Sequence, residues 1–202
     1  IAAVLVRHGL ALIEDDAYGF VPPDPPAPIA TLAPELTWHI GGLAKCLGAG
    51  LRLAWTVAPD SLGAYRLGQS VRTLAVMPSP VTAALATRWI EDGTADRIRD
   101  FLRAETTARQ ALAAEVLAGF SFRSAPCAFN LWFRLPDGVG RAELMGRMAG
   151  RGIGLMPSDA FTIAGPPGEY LRVGLGGALS RDRLREGLLF MANTLSGQGW
   201  LG

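Results

Sequence analysis

The chain has 202 residues, of which 50% are apolar and 18% charged, with a formal net charge of +1. That composition suits a globular chain with one large domain or two small ones, and a balanced charge without a basic cluster leaves no nucleic-acid footprint. No run reaches the roughly 18 uninterrupted apolar residues of a membrane span, and no charged start with a cleavage site reads as a signal peptide. Cys46 and Cys127 have neither metal-ligand spacing nor the number needed for a disulfide framework. A reduced, cytoplasmic setting is the expectation.

In chain order, Ile1 opens in what reads as a helix end, with Ala3, Val4 and Val6 leading to Arg7-His8-Gly9. His8 is read as a helix-end residue facing the negative end of the dipole rather than as a ligand. A start inside a helix–strand unit implies a preceding segment. An apolar strand follows over Leu10–Ile13 and ends in Glu14-Asp15-Asp16-Ala17-Tyr18. Carboxylates at the carboxyl end of a buried strand are costly unless solvated or paired, and in open α/β sheets that edge is where ligands bind. Val21 to Pro34 is too rich in proline for a helix and reads as an extended surface loop.

The next stretch is the most informative one. Leu36–Ile40 reads as a strand, Gly41–Gly50 as a tight turn, and Leu51–Val57 as the following strand. Within the turn sits Lys45, the only lysine in a chain whose other basic side chains, the two histidines apart, are all arginine. An amine can condense with an aldehyde and a guanidinium cannot. Glycine-rich turns bring backbone N–H groups close to anions, and Arg52 offers a fork of donors for a phosphate. An amine and a phosphate clamp on one turn suit a phosphorylated aldehyde.

Beyond it, Asp60 to Pro80 reads as a helix with a loop around Met77-Pro78, and Val81 to Gly119 as strongly helical with a nick at Asp92-Gly93. Leu85 and Trp89 share a face there. Ile98, Phe101, Leu102, Leu112 and Val116 keep to a helical stripe, and Glu105 and Arg109 form an i,i+4 pair. From Gly119 the period changes: Phe129, Leu131 and Phe133 alternate as a strand, and Pro136-Asp137-Gly138 makes a turn. A helix is expected over Arg141–Arg151 with Leu144, Met145, Met148 and Ala149 inward, then strands at Gly152–Met156 and Leu171–Leu175. Ser180 is placed as the N-cap of a last helix with Leu184, Leu188, Met191 and Leu195 on one face. Arg172 stands mid-strand between apolar neighbours, where an unpaired charge would be costly, and is a site candidate.

The Lys45 segment, the Asp-x-Ala-Tyr order at Asp15–Tyr18, the Gly-Leu-Arg ending at Arg52 and the Leu-Arg-Val strand at Arg172 together resemble fold-type-I pyridoxal-phosphate (PLP) enzymes. The wording of Trp89–Ala95 and Arg103–Gln110 resembles the MocR branch of the GntR-type regulators, which fuse a winged helix-turn-helix to an aminotransferase-like domain. The resemblance implies an α/β, aspartate aminotransferase-like PLP-transferase fold, matched only over its second half. Residues 1–79 would be the C-terminal part of the large domain, 80–118 connecting helices, and 119–202 the small domain. It also implies that Lys45 forms the Schiff base with PLP and Arg52 binds its phosphate. Asp15 would pair with the pyridine nitrogen, with Asp16 as its rival, while Tyr18 bonds the ring oxygen and Arg172 grips the carboxylate of an amino-acid-like ligand. A homodimer is implied, with DNA contacted only through an N-terminal winged-helix domain. The first half of the fold would hold the phosphate loop and the ring-stacking group, so this stretch alone is expected to be inactive. One local departure is that positions 42 and 44 are glycine and alanine where relatives carry serines.

Overall fold

The computed structural model describes residues 1–197, so residues 198–202 of the stretch assigned to the small domain lie outside the described residues. The chain forms two compact units, Ile1–Arg103 and Ala104–Gly202.

The first unit opens with helix α1 (Ala2–His8), which ends on Gly9 in the left-handed conformation (φ 60°). That cap delays the strand: β1 spans Leu12–Asp15 rather than Leu10–Ile13. After two short 3₁₀ turns at Ile29–Thr31 and Pro34–Leu36 come β2 (Thr37–Gly42) and β3 (Ala54–Val57). β1 pairs with β2 in parallel and β2 with β3 antiparallel, giving the order β1-β2-β3. The pairing carries Gly41 and Gly42 into β2, so the turn is shorter than Gly41–Gly50, and the strand expected from Leu51 begins at Ala54.

Helix α2 (Ser61–Ala75) starts on Asp60, whose side chain accepts from the Gly63 N–H at 2.6 Å. Helix α3 (Pro80–Glu91) starts on Ser79. Helix α4 (Thr94–Val116) follows the break at Gly93, where φ is +75° and glycine is favoured. The stripe expected along α4 is broken at Phe101, which is 66% exposed.

The second unit has its own core. Strands β4 (Phe122–Arg123), β5 (Asn130–Arg134), β6 (Leu155–Pro157) and β7 (Tyr170–Gly174) form an antiparallel sheet in the order β4-β5-β7-β6. Leu131, Phe133, Leu171 and Val173 turn to one face and bury against Leu144 and Met148 of α5 (Arg141–Met148) and Leu184, Leu188 and Met191 of α6 (Arg181–Leu195). Ser180 caps α6 as expected, accepting from the Arg183 N–H. α5 stops three residues before Arg151 because Ala149 leaves the helix (ψ 131°) and Gly150 and Gly152 take positive φ; Ala149 is therefore exposed rather than inward. Strand β4 is too short to show in an alternation pattern and was not expected.

Glu105 ties this unit together. Its carboxylate accepts from Arg109 Nε at 2.7 Å and Arg181 Nη2 at 2.6 Å, while Arg109, itself buried, donates to the carbonyls of Leu175 and Leu179. The hydrogen bonds from Arg181, and then Arg109, hold the Glu105 carboxyl down at about 2. A carboxyl depressed in the folded chain stabilises fully above its unfolded value and less as pH falls through the folded one. Glu105→Gln should therefore cost about 2 kcal/mol at neutral pH. Hydrogen-exchange protection of the β7 amides would read the loss. It should shrink between about pH 5 and pH 2, where the parent also loses the pair; a loss independent of pH would show that the charge is not what stabilises.

Candidate functional site

β1 and β2 are parallel with Asp15 level with Ile40, so both strands deliver their carboxyl ends to one edge of the sheet. From β1 the chain continues through Asp15, Asp16 and Tyr18; from β2 it continues into the turn that holds Lys45. The turn is closed by the Leu47 and Gly48 N–H groups donating to the Leu43 carbonyl, and the Leu43 N–H reaches Leu53 O at 3.1 Å. Lys45 and Arg52 therefore stand near the two ends of one loop between β2 and β3.

Lys45 is exposed, and its Nζ lies 5.4 Å from the centroid of the Tyr18 ring. Among the described residues no carboxylate pairs with Lys45 or with Arg52. Arg52 follows a 3₁₀ turn at Ala49–Leu51 and adopts a left-handed backbone (φ 52°, ψ 38°). For a residue with a side chain that conformation costs roughly 1–2 kcal/mol. Strain of this kind concentrates at functional sites.

The three consecutive acids have three different surroundings. The Glu14 carboxylate accepts from the Ile29 and Ala30 N–H groups at 2.7 and 3.0 Å, capping a 3₁₀ turn of the proline-rich loop. Asp16 pairs with His39 Nε2 at 3.1 Å, and a side chain at Gly19 would collide with its carboxylate. Asp15 is exposed at the strand end and accepts from the Ala17 N–H at 3.1 Å.

Sequence reasoning missed the supports of this edge. Arg103, on α4, donates to the carbonyls of Phe20, Val21 and Pro22 at 2.8–3.1 Å and so pins the loop that follows Tyr18. No local pattern could reveal a bond across some eighty residues. Gly41 lies opposite Trp55, and a Cβ there would stand 2.5 Å from the indole. Trp55 in turn meets Phe20 with ring centroids 5.8 Å apart. Leu43, Cys46 and Leu47 of the turn line an apolar cavity of about 460 Å³ bounded also by Trp55, Ala86 and Ile90. Burial pushes the Cys46 thiol up, as expected of a cysteine used for packing.

Arg172 belongs to the second unit. In β7 it lies between Trp132 and Met156 of the flanking strands, on the face opposite the core, with its guanidinium carbon 5.4 Å from the Phe161 ring centroid. Trp132 stacks on Tyr170 (5.7 Å, 13°) and meets Phe161 edge-on (5.5 Å). Arg172 is thus half-buried on an aromatic surface, and no carboxylate among the described residues pairs with it.

The chain has the aspartate aminotransferase-like fold of the PLP transferases. LysN, the α-aminoadipate aminotransferase of Thermus thermophilus, solved in complex with N-(5'-phosphopyridoxyl)-L-leucine, superposes with a TM-score of 0.83 at 21% identity. The match covers 97% of this chain and 52% of that one. Among curated proteins, the chain is similar to the uncharacterized HTH-type transcriptional regulator YdeF of Bacillus subtilis. Identity is 25% over 198 residues, 96% of this chain and 42% of the relative. It is also 20% identical to aromatic-amino-acid aminotransferase 1 of Thermococcus litoralis, over 94% of this chain and 47% of that protein. The chain thus spans less than half the length of the curated relatives it matches. No protein-family model matches it. Among the described residues no cluster could hold a metal ion, and no helix is long and apolar enough to cross a membrane.

The backbone of Arg52 gives a direct test of its role. Arg52→Gly and Arg52→Ala both remove the guanidinium, but only glycine fits the left-handed backbone. Arg52→Gly should be more stable than Arg52→Ala by about 1 kcal/mol in urea denaturation; if Arg52 is the phosphate ligand that the resemblance implies, PLP binding falls equally in both. Retained PLP affinity in either variant would reject Arg52 as the phosphate ligand.

Proposed function

We propose that this chain is the lysine-bearing part of a PLP-binding, aminotransferase-like effector domain in a MocR/GntR-type transcriptional regulator. The observation that carries the reading is the meeting of Lys45 with Tyr18 at the carboxyl edge of a parallel strand pair that also ends in Asp15. The likeness to an HTH-type regulator over nearly the whole chain supports the regulator in preference to a free-standing enzyme. The second reading, a class I/II aminotransferase moving an amino group between an amino acid and a 2-oxo acid, has its support in the Thermococcus litoralis relative.

The donor set fits PLP. An amine, a phenol, a carboxylate and a guanidinium are what its aldehyde, ring oxygen, pyridine nitrogen and phosphate require. When bound, PLP supplies an electron sink for an amino-acid substrate. Lys45 provides the amine that condenses with the aldehyde. Asp15, exposed at the strand end, keeps a proton on the pyridine nitrogen; Asp16 is engaged by His39 and less available. Tyr18, beside the Lys45 amine, orients the ring oxygen. With no hydroxyl at positions 42 and 44, the phosphate falls to Arg52 and the N–H groups of the turn. In the second unit, Arg172 holds the α-carboxylate of an amino-acid-like ligand. Homodimer formation, a cytoplasmic setting and DNA contact through a winged-helix domain belong to the same proposal. The remaining walls of the cofactor site would come from the rest of a full-length protein, and these 202 residues alone would not complete a catalytic cycle.

Borohydride reduction of the full-length protein with PLP tests the reading directly. The label should sit on the peptide containing Lys45, and Lys45→Ala should abolish both label and near-ultraviolet absorbance. Arg172→Ala should retain PLP but weaken amino-acid binding by about 1.5–3 kcal/mol. A variant that loses PLP while binding the amino acid normally would reverse the two roles.

A further inference from the structure

Tyr18 is 45% exposed, so packing against neighbouring side chains does little to fix it. Its place is set by the backbone that carries it. Two turns in succession shape that backbone: the Gly19 N–H donates to the Asp16 carbonyl at 3.0 Å, and the Val21 N–H to the Tyr18 carbonyl at 2.9 Å. The Asp16 N–H still reaches the Ile40 carbonyl at 2.8 Å, but β1 itself has ended at Asp15. Pro22 and Pro23 then follow and offer no N–H to any ladder. The run that carries the phenol therefore leaves the sheet early and needs an anchor from elsewhere.

Arg103 supplies it. Its Nε donates to the Val21 carbonyl at 2.8 Å, and its Nη2 to the Phe20 and Pro22 carbonyls at 3.1 and 2.8 Å. Asp100 stands 3.7 Å from Nη1, the nitrogen these carbonyls do not use. A planar fork with donors in set directions fixes the orientation of a peptide run as well as its position. Val21 joins the anchor to the turn, since its carbonyl is held by Arg103 and its N–H holds the Tyr18 carbonyl. Its side chain is 4% exposed, and the neighbouring Phe20 ring meets Trp55, so the anchored run is seated in the first unit.

We infer that Arg103 is a positioning residue for Tyr18, holding the phenol where it can donate to the ring oxygen of PLP bound at Lys45. This rests on the proposed roles of Lys45 and Tyr18 and adds a residue that touches neither the cofactor nor a substrate. A phenol that donates to the ring oxygen stabilises the form in which that oxygen is anionic. It thereby lowers the pH at which the bound chromophore gives up its proton. Hydrogen bonds weaken steeply when their angle is lost, so a loosened turn should let that pH rise.

The test reads the pH midpoint of the near-ultraviolet to visible absorbance of the full-length protein with PLP bound. Tyr18→Phe should raise the midpoint by about one to two pH units, the scale of a hydrogen bond to a charged group. Arg103→Ala should raise it by about half of that. In the Tyr18→Phe background Arg103→Ala should add nothing, because its effect passes through the phenol. Arg103→Lys keeps the cation without the planar fork and should raise the midpoint too; it carries the test if the alanine variant does not fold. Lys45, Asp15 and the Asp16–His39 pair are common to all these variants, so their charges cancel in the comparison. A midpoint left at the parent value by either Arg103 variant, while Tyr18→Phe moves it, would overturn the inference and leave the cofactor reading standing. An equal rise in the Tyr18→Phe background would overturn it as well, since the cation would then act through its field and not through the phenol. No movement in Tyr18→Phe itself would overturn the role of Tyr18 along with it.

Discussion

β1 and β2 run side by side in the same direction, Asp15 level with Ile40, and everything at the candidate site depends on that pairing. Parallel strands must leave a sheet at the same edge, and here one exit carries Asp15 and Tyr18 and the other Lys45. The antiparallel return through β3 then brings Arg52 back near the start of the same loop. Four chemically distinct groups are gathered by strand direction alone. The side-chain contacts add fine placement: Arg103 fixes the loop after Tyr18, and the Trp55 indole packs on the bare backbone of Gly41.

The candidates are chosen in the sequence by residue type and resemblance: a single lysine in a chain of arginines is conspicuous whatever the fold, and Asp15 and Tyr18 are named by the likeness of the Asp-x-Ala-Tyr order to the PLP enzymes. Their surroundings, set by tertiary pairing, were not legible. Three acids in a row look equivalent on paper, yet Glu14 caps a distant turn and Asp16 is matched with His39. The strand limits moved for a related reason: Gly9 closes α1 with a left-handed residue, so β1 starts later than its apolar pattern suggests, and pairing with β3 extends β2 through two glycines. In the second unit the alternation of Leu131 and Phe133 exposed the core strand correctly, because their burial is nearly complete.

The two units differ in how they use apolar surface. The second buries a contiguous set of side chains from α4, the sheet, α5 and α6. In the first, α2 buries no residue, and Ile13, Leu74 and Val76 are at least two-thirds exposed. Exposed apolar side chains in such number are unusual for a surface that faces only water. In the better-packed unit, Trp132 stacks on Tyr170 and the Arg172 guanidinium lies over the Phe161 ring.

Arg52 shows the same division at the level of one residue. A guanidinium could be offered from an ordinary loop conformation at no backbone cost, and glycine would occupy this left-handed position without strain. The chain instead combines a strained backbone with a charged side chain that no carboxylate among the described residues satisfies. Under the proposed function both features would have one account, an anion held by the arginine fork and the backbone of the turn that presents Lys45.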